Sequence, residues 1–124
     1  MTVNLTFPKT PSLNELMRWK YNKQVRFRYG LHRAELYGVL DAQPESWSPP
    51  GLREDSEKVH ATIARYSSGT LDDDNFRGGC KPLVDALKKY GYIYDDSPQH
   101  FHCEYAQVKC RRGEGKTTVR LMYG

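Results

Sequence analysis

A chain of 124 residues is the size of one domain with a single two-layered core, and its 38% hydrophobic and 12% aromatic content favours a folded protein over a disordered one. The formal charge of +4 and a pI near 9.0 raise the expectation of a polyanionic partner, nucleic acid or a membrane surface. No stretch approaches the roughly 20 apolar residues of a spanning helix, which argues against a membrane-spanning protein.

Val3 to Phe7 alternates apolar and polar residues and predicts a first strand, stopped by Pro8 and Pro11. Ser12 followed by Glu15 has capping-box spacing. Leu13, Leu16, Met17, Tyr21, Val25 and Tyr29 then recur at helical intervals, so the pattern predicts a helix from Ser12 running past Gly30 toward Leu40. Ala42 to Asp55, with Pro44, Pro49, Pro50 and Gly51, predicts a surface loop. Lys58 to Tyr66 has a half-buried strand pattern that ends in Ser67-Ser68-Gly69. A second helix is expected from Pro82, with Lys88 and Lys89 suiting its C-terminal dipole and Gly91 terminating it. His100 to Cys110 and Thr117 to Tyr123 predict two strands joined by a Gly113-Glu114-Gly115 hairpin turn. The expected order is β-α-β-α-β-β in one domain over residues 1–124, an α+β fold with a small mixed sheet and two main helices.

The opening Met1 to Leu5 lacks the basic and long apolar regions of a signal peptide, and the expectation is a cytoplasmic protein. Cys80, Cys103 and Cys110 are odd in number and form no disulfide framework, so free thiols are expected. His100, His102, Cys103 and Cys110 are zinc-capable residue types without a paired spacing. His100 and His102 are expected to face phosphate or solvent.

Asp72, Asp73, Asp74 and Asn75 fall where an extended segment ends. In extended chain, side chains at i and i+2 share a side, so Asp72 and Asp74 could converge, and a divalent cation would relieve their repulsion. Asp95 and Asp96 follow after the second helix, and a reversal at Gly91 would bring one of them back to complete an oxygen-rich magnesium site. Such a site suits phosphodiester hydrolysis, with Lys81 as the cation opposite developing phosphate charge. An acidic run beside Gly and Ser can equally be a solvated loop or a helix cap.

The segment Asp72-Asp73-Asp74-Asn75, then Lys81 opening a helix that reads Asp85-Ala86-Leu87, then Gly91 and Asp95-Asp96, resembles the RusA family of Holliday junction resolvases. Pro11-Ser12-Leu13-Asn14 extends the likeness toward the start of the chain. The resemblance implies a RusA-like α+β fold and a homodimer, in bacterial cytoplasm and often of phage or prophage origin. It also implies magnesium dependence, with manganese as a substitute, and paired symmetric nicks in four-way DNA during recombination and repair. It assigns metal binding and catalysis to Asp72, Asp74 and Asp96, and a catalytic role to Lys81. Here Lys81 stands seven residues after Asp74, farther than in the family pattern, so Arg77 could share its task, while Asp73 replaces an apolar residue.

Six basic residues between Leu16 and Ala34, namely Arg18, Lys20, Lys23, Arg26, Arg28 and Arg33, are interleaved with Trp19, Tyr21, Phe27 and Tyr29. No acidic residue interrupts them, a pattern expected of a DNA-facing helix. Lys109, Arg111, Arg112, Lys116 and Arg120 form a second basic group around the Gly-rich turn. Two other functions fit the same residues: a non-catalytic binder of branched DNA, and a nuclease for flaps or forks.

Overall fold

The computed structural model describes residues 1–44 and 49–124. Part of the Ala42 to Asp55 loop expected from the sequence therefore lies outside the described residues. The elements in chain order are β1 (Thr2–Pro8), α1 (Leu13–Tyr21), α2 (Phe27–Asp41), β2 (Val59–Ser67), α3 (Asp73–Gly79), α4 (Lys81–Lys89), β3 (Phe101–Lys109) and β4 (Lys116–Met122). The fold is α+β, with one four-stranded mixed sheet and helices packed on it. Each helical position in the expected order is filled by two helices.

The first break has a local cause. Asn22 leaves the helical region, with φ −107° and ψ 115°, and its side-chain oxygen accepts from the backbone N–H of Gln24 at 2.9 Å. An Asx turn of this kind offers the backbone a competing partner and ends the helix. The single helix expected from Ser12 toward Leu40 is thus two, with α2 restarting at Phe27. Its beginning is as expected: Ser12 Oγ accepts from Glu15 N at 3.1 Å and caps α1.

The sheet order is β1-β4-β2-β3, with β2 and β3 parallel and the β4 pairings antiparallel. The sequence expectation of a β3–β4 hairpin is therefore corrected: β2 lies between them. The reason is burial. Val119 and Leu121 register against Ile63 and Ala61 on one side and Leu5 and Val3 on the other, so β4 fills the sheet centre where its apolar residues are covered. The parallel β2–β3 pair is joined through α3 and α4, as a parallel connection requires.

One face of the sheet contributes Leu5, Phe7, Ala61, Ile63, Val119 and Leu121 to a core closed by Leu36 and Leu40 of α2, Phe76 of α3, and Leu83, Val84 and Leu87 of α4. The other face carries no helix among the described residues. It presents Asn4, Thr6, His60, His102, Glu104, Ala106, Arg120 and Met122, all exposed. No helix among the described residues is long and apolar enough to cross a membrane.

The segment between β1 and α1 is pinned by buried polar groups. Thr10 N donates to Thr117 Oγ1 at 2.9 Å, and the Arg65 guanidinium donates through Nε to the Thr10 carbonyl at 2.9 Å. Against this segment lies Gly79, where an added Cβ would overlap the Pro11 carbonyl oxygen. Glycine there permits α3 to touch the entrance of α1.

Candidate active site

Asp72 is the N-cap of α3. Its carboxylate accepts from the backbone N–H of Asn75 at 3.3 Å and from the Asn75 side-chain amide at 2.6 Å. These two bonds favour the charged form and hold its pKa below the ordinary aspartate value, the side-chain bond first. Asn75 in turn accepts from Asn14 N at 3.2 Å, tying the start of α3 to α1. Asp73 and Asp74 occupy the first turn, where negative charge suits the helix dipole. The extended geometry expected to bring Asp72 and Asp74 together is therefore not the one found. They sit at a helix start, two residues apart on a coil that turns about 100° per residue. Asp74 is exposed, and its side chain makes no hydrogen bond or ion pair among the described residues.

Ahead of the cap, Leu71 is clamped to β3. Its N–H donates to Gln107 Oε1 at 2.8 Å, and its carbonyl accepts from Gln107 Nε2 at 2.7 Å. Gln107 thus ties the acidic turn to β3, two residues, or about 7 Å, from Tyr105 along the strand. The sequence reading missed Gln107; the alternation that puts 101, 103, 105 and 107 on one face was its only signal.

Lys81 opens α4 and holds two carboxylates: Asp96 at 2.9 Å and Asp85 at 3.0 Å. The reversal at Gly91, which has φ +80°, does return the chain and brings Asp96 to Lys81. Both contacts raise the Lys81 pKa, Asp96 most, so the side chain is a lasting cation and not a general base. Asp85, one turn into α4, shares this ammonium. The neighbouring Asp95 is bound to Lys88 at 2.7 Å, which pulls its pKa down to about 2.

Arg77, Lys81, Val84, Asp96, Phe101, Cys103 and Tyr105 line one open cleft of about 250 Å³. Arg77 pairs with Asp73 at 2.9 Å and lies 4.7 Å from the centre of the Tyr105 ring. Burial pushes the Cys103 thiol up to about 11 and the Tyr105 phenol upward as well, so both are neutral at physiological pH. Neither is an activated nucleophile. The cleft presents the Arg77 guanidinium and the Lys81 ammonium, each already paired with carboxylate, beside Asp96 and two aromatic rings.

The donor set singled out for magnesium fits a hard cation in kind, being all carboxylate oxygen and exposed. In position it is not one preformed cage. Asp72 is committed to its cap, Asp96 to Lys81, and no group of three metal-ligating side chains is gathered among the described residues.

The basic residues divide. Lys20 of α1 and Lys81 line a common cleft of about 120 Å³ together with Met17 and Tyr29, so the basic helix flanks the Lys81 region. Arg18, Lys23, Arg26 and Arg28 are exposed around the α1–α2 break, and Phe27 is 60% exposed beside Arg28. Arg111 and Arg112 are exposed just beyond β3. His100, expected at phosphate or solvent, is instead buried and packs on Tyr94 with ring centres 4.7 Å apart. His102 is exposed on the helix-free face, opposite in direction to Cys103. The three cysteines are free thiols. No protein-family profile matches the sequence, and no curated protein is significantly similar to it.

Proposed function

We propose that the protein is a magnesium-dependent endonuclease that nicks branched DNA, four-way junctions above all, in the manner of the RusA family its motif resembles. The observation that carries this reading is the convergence of Lys81, the first residue of α4, and Asp96, from the loop beyond its end, in an open cleft that Arg77 also lines. Asp72, Asp74 and Asp96 are the residues that would hold magnesium, or manganese in its stead, which when bound supplies activation of water and neutralisation of phosphate charge. Lys81 and Arg77 orient the scissile phosphate and stabilise the negative charge that develops on it. Exchanging the exposed Lys81–Asp96 contact for a phosphate costs little, because exposed ion pairs contribute only about 0–1 kcal/mol.

Paired nicks need two sites, hence a dimer, and the helix-free sheet face suits a second copy. Arg120, Thr62 and Glu104 form one row across β4, β2 and β3. A two-fold axis along β2 sets Arg120 of each copy over Glu104 of the other, a self-complementary arrangement across sheets about 10 Å apart.

The rival reading, a non-catalytic binder of branched DNA, draws on the cap that occupies Asp72 and the ion pair that occupies Asp96. Incubating the protein and magnesium with junction, fork, flap and duplex of the same sequence separates these cases. The proposal expects junction cleavage to exceed that of duplex by on the order of 100-fold; binding without cutting of any substrate supports the binder, and faster cutting of flap or fork reassigns the substrate.

A further inference from the structure

Where α1 and α2 meet, beside a cleft that shares no lining residue with those of Lys81, two buried polar atoms lack partners among the described residues. Trp19 Nε1 and His32 Nε2 have no hydrogen bond among the described residues, and His32 is only 6% exposed. Their rings lie 6.2 Å apart at 58°. A buried unpaired donor or acceptor is costly, and native structures keep one chiefly where something else completes it. Both side chains line an open cleft of about 210 Å³, whose walls include the apolar Leu31 and the charged Lys9, Arg28 and Glu35.

The chemistry of the lining is specific. The indole N–H can only donate. Burial lowers the His32 pKa against the opposing pull of Glu35, so the imidazole is neutral, with one nitrogen to donate and one to accept. Both nitrogens are closed to solvent as the rings stand, so a ligand engages them by turning the two rings toward the cleft; it must be flat enough to slide beside them and must offer an acceptor edge to Trp19. Lys9 and Arg28 are both exposed, and they add positive charge to the walls. A heterocycle inside with phosphates outside meets all of these demands, whereas a free anion would leave the aromatic and apolar walls unused.

We propose that this cleft receives one unpaired nucleobase of a DNA strand, with Trp19 and His32 contacting its edge and Lys9 and Arg28 holding the flanking phosphates. The proposal rests on the reading of DNA as substrate and adds to it a site that senses unpaired bases. It gives the basic α1–α2 segment a role beyond charge, since duplex DNA has no free base to insert.

The test uses the full chain carrying Trp47→Phe, which leaves Trp19 as the only tryptophan of the two, and EDTA to prevent cutting. The probes are a thymidine strand of about twelve nucleotides, within the roughly 4–16 that single-strand sites span, and the same strand made abasic. The thymidine strand should quench Trp19 emission and the abasic strand should not. Trp19→Phe, which keeps a ring but loses the donor, should weaken binding of the thymidine strand up to about tenfold and leave the abasic strand unchanged. Lys9→Ala should weaken both alike. Equal quenching by the two strands, no quenching by either, or unchanged affinity in Trp19→Phe would each overturn the proposal and leave the cleft to ordered water. Because cutting is never measured, a protein that quenches with thymidine but cuts no junction retires the nuclease reading alone, and one that cuts without quenching retires the base site alone.

Discussion

Lys81 and Asp96 are joined at 2.9 Å across 15 positions of sequence, so that the first residue of α4 and the loop beyond its end meet at one point. Asp85 supplies a second carboxylate one turn along. On the proposed function this ammonium is poised for phosphate. Lys81→Ala should lower junction cleavage on the order of 100- to 1000-fold, the loss typical of removing one charge-stabilising donor. Its melting temperature should stay near that of the parent, since both contacts are exposed. Single-turnover cleavage beside a thermal melt reads both, and a variant that loses folding and activity together would assign Lys81 to structure.

Asp72 carries two roles that substitution can separate. Asp72→Asn retains a capping oxygen and should melt close to the parent, whereas Asp72→Ala loses both bonds to Asn75 and should melt lower. Cleavage should fall steeply in both, because an amide is a poor ligand for a hard cation. Full activity in Asp72→Asn would leave the residue as a cap only.

Asp95 makes stability depend on acid. Its pKa in the fold is about 2 against an ordinary 3.8, held down first by Lys88. A depressed carboxylate pKa contributes stability that is complete above the unfolded value and is lost as the pH falls through the folded one. The parent should therefore lose melting temperature between 3.8 and about 2, with a shallower slope in that window for Asp95→Asn. Parallel thermal melts across the window decide it; identical slopes would mean that Lys88 does not hold Asp95 in solution.

The two-fold arrangement predicts that Glu104→Arg sets like charges against Arg120 of the second copy and yields a particle of 14.4 kDa where the parent gives twice that mass. Adding Arg120→Glu should restore the larger particle. Light scattering of the three proteins measures it, and a monomeric parent would remove the dimer from the account.

The local signals in the sequence were good guides where one residue decides the outcome. Ser12 caps α1, Pro82 lies in the first turn of α4, and Gly91 ends it with a positive φ. Pairing of the strands was not legible from the chain around Gly113, because a glycine-rich turn between two strands looks the same whether they pair or are parted by a third. Only the burial of Val119 and Leu121 between β1 and β2 settles it. The acidic run was visible, but its geometry was not: Asp followed by Asn three residues on serves a helix cap as readily as an extended ligand pair. Gln107, which holds Leu71 to β3, and Tyr105, which lines the cleft beside Arg77, carry no motif and emerge only when β3 is seated against α3.

Asp74 is the most discriminating residue for the central claim, since its side chain is exposed and free of partners among the described residues, and its loss should not disturb the fold. An end-labelled synthetic four-way junction, incubated with magnesium and with EDTA, compares the parent with Asp74→Asn. The account predicts paired symmetric nicks that need magnesium and fall on the order of 100-fold or more in the variant. Cutting at the parental rate by Asp74→Asn, or cutting by the parent in EDTA, would contradict it.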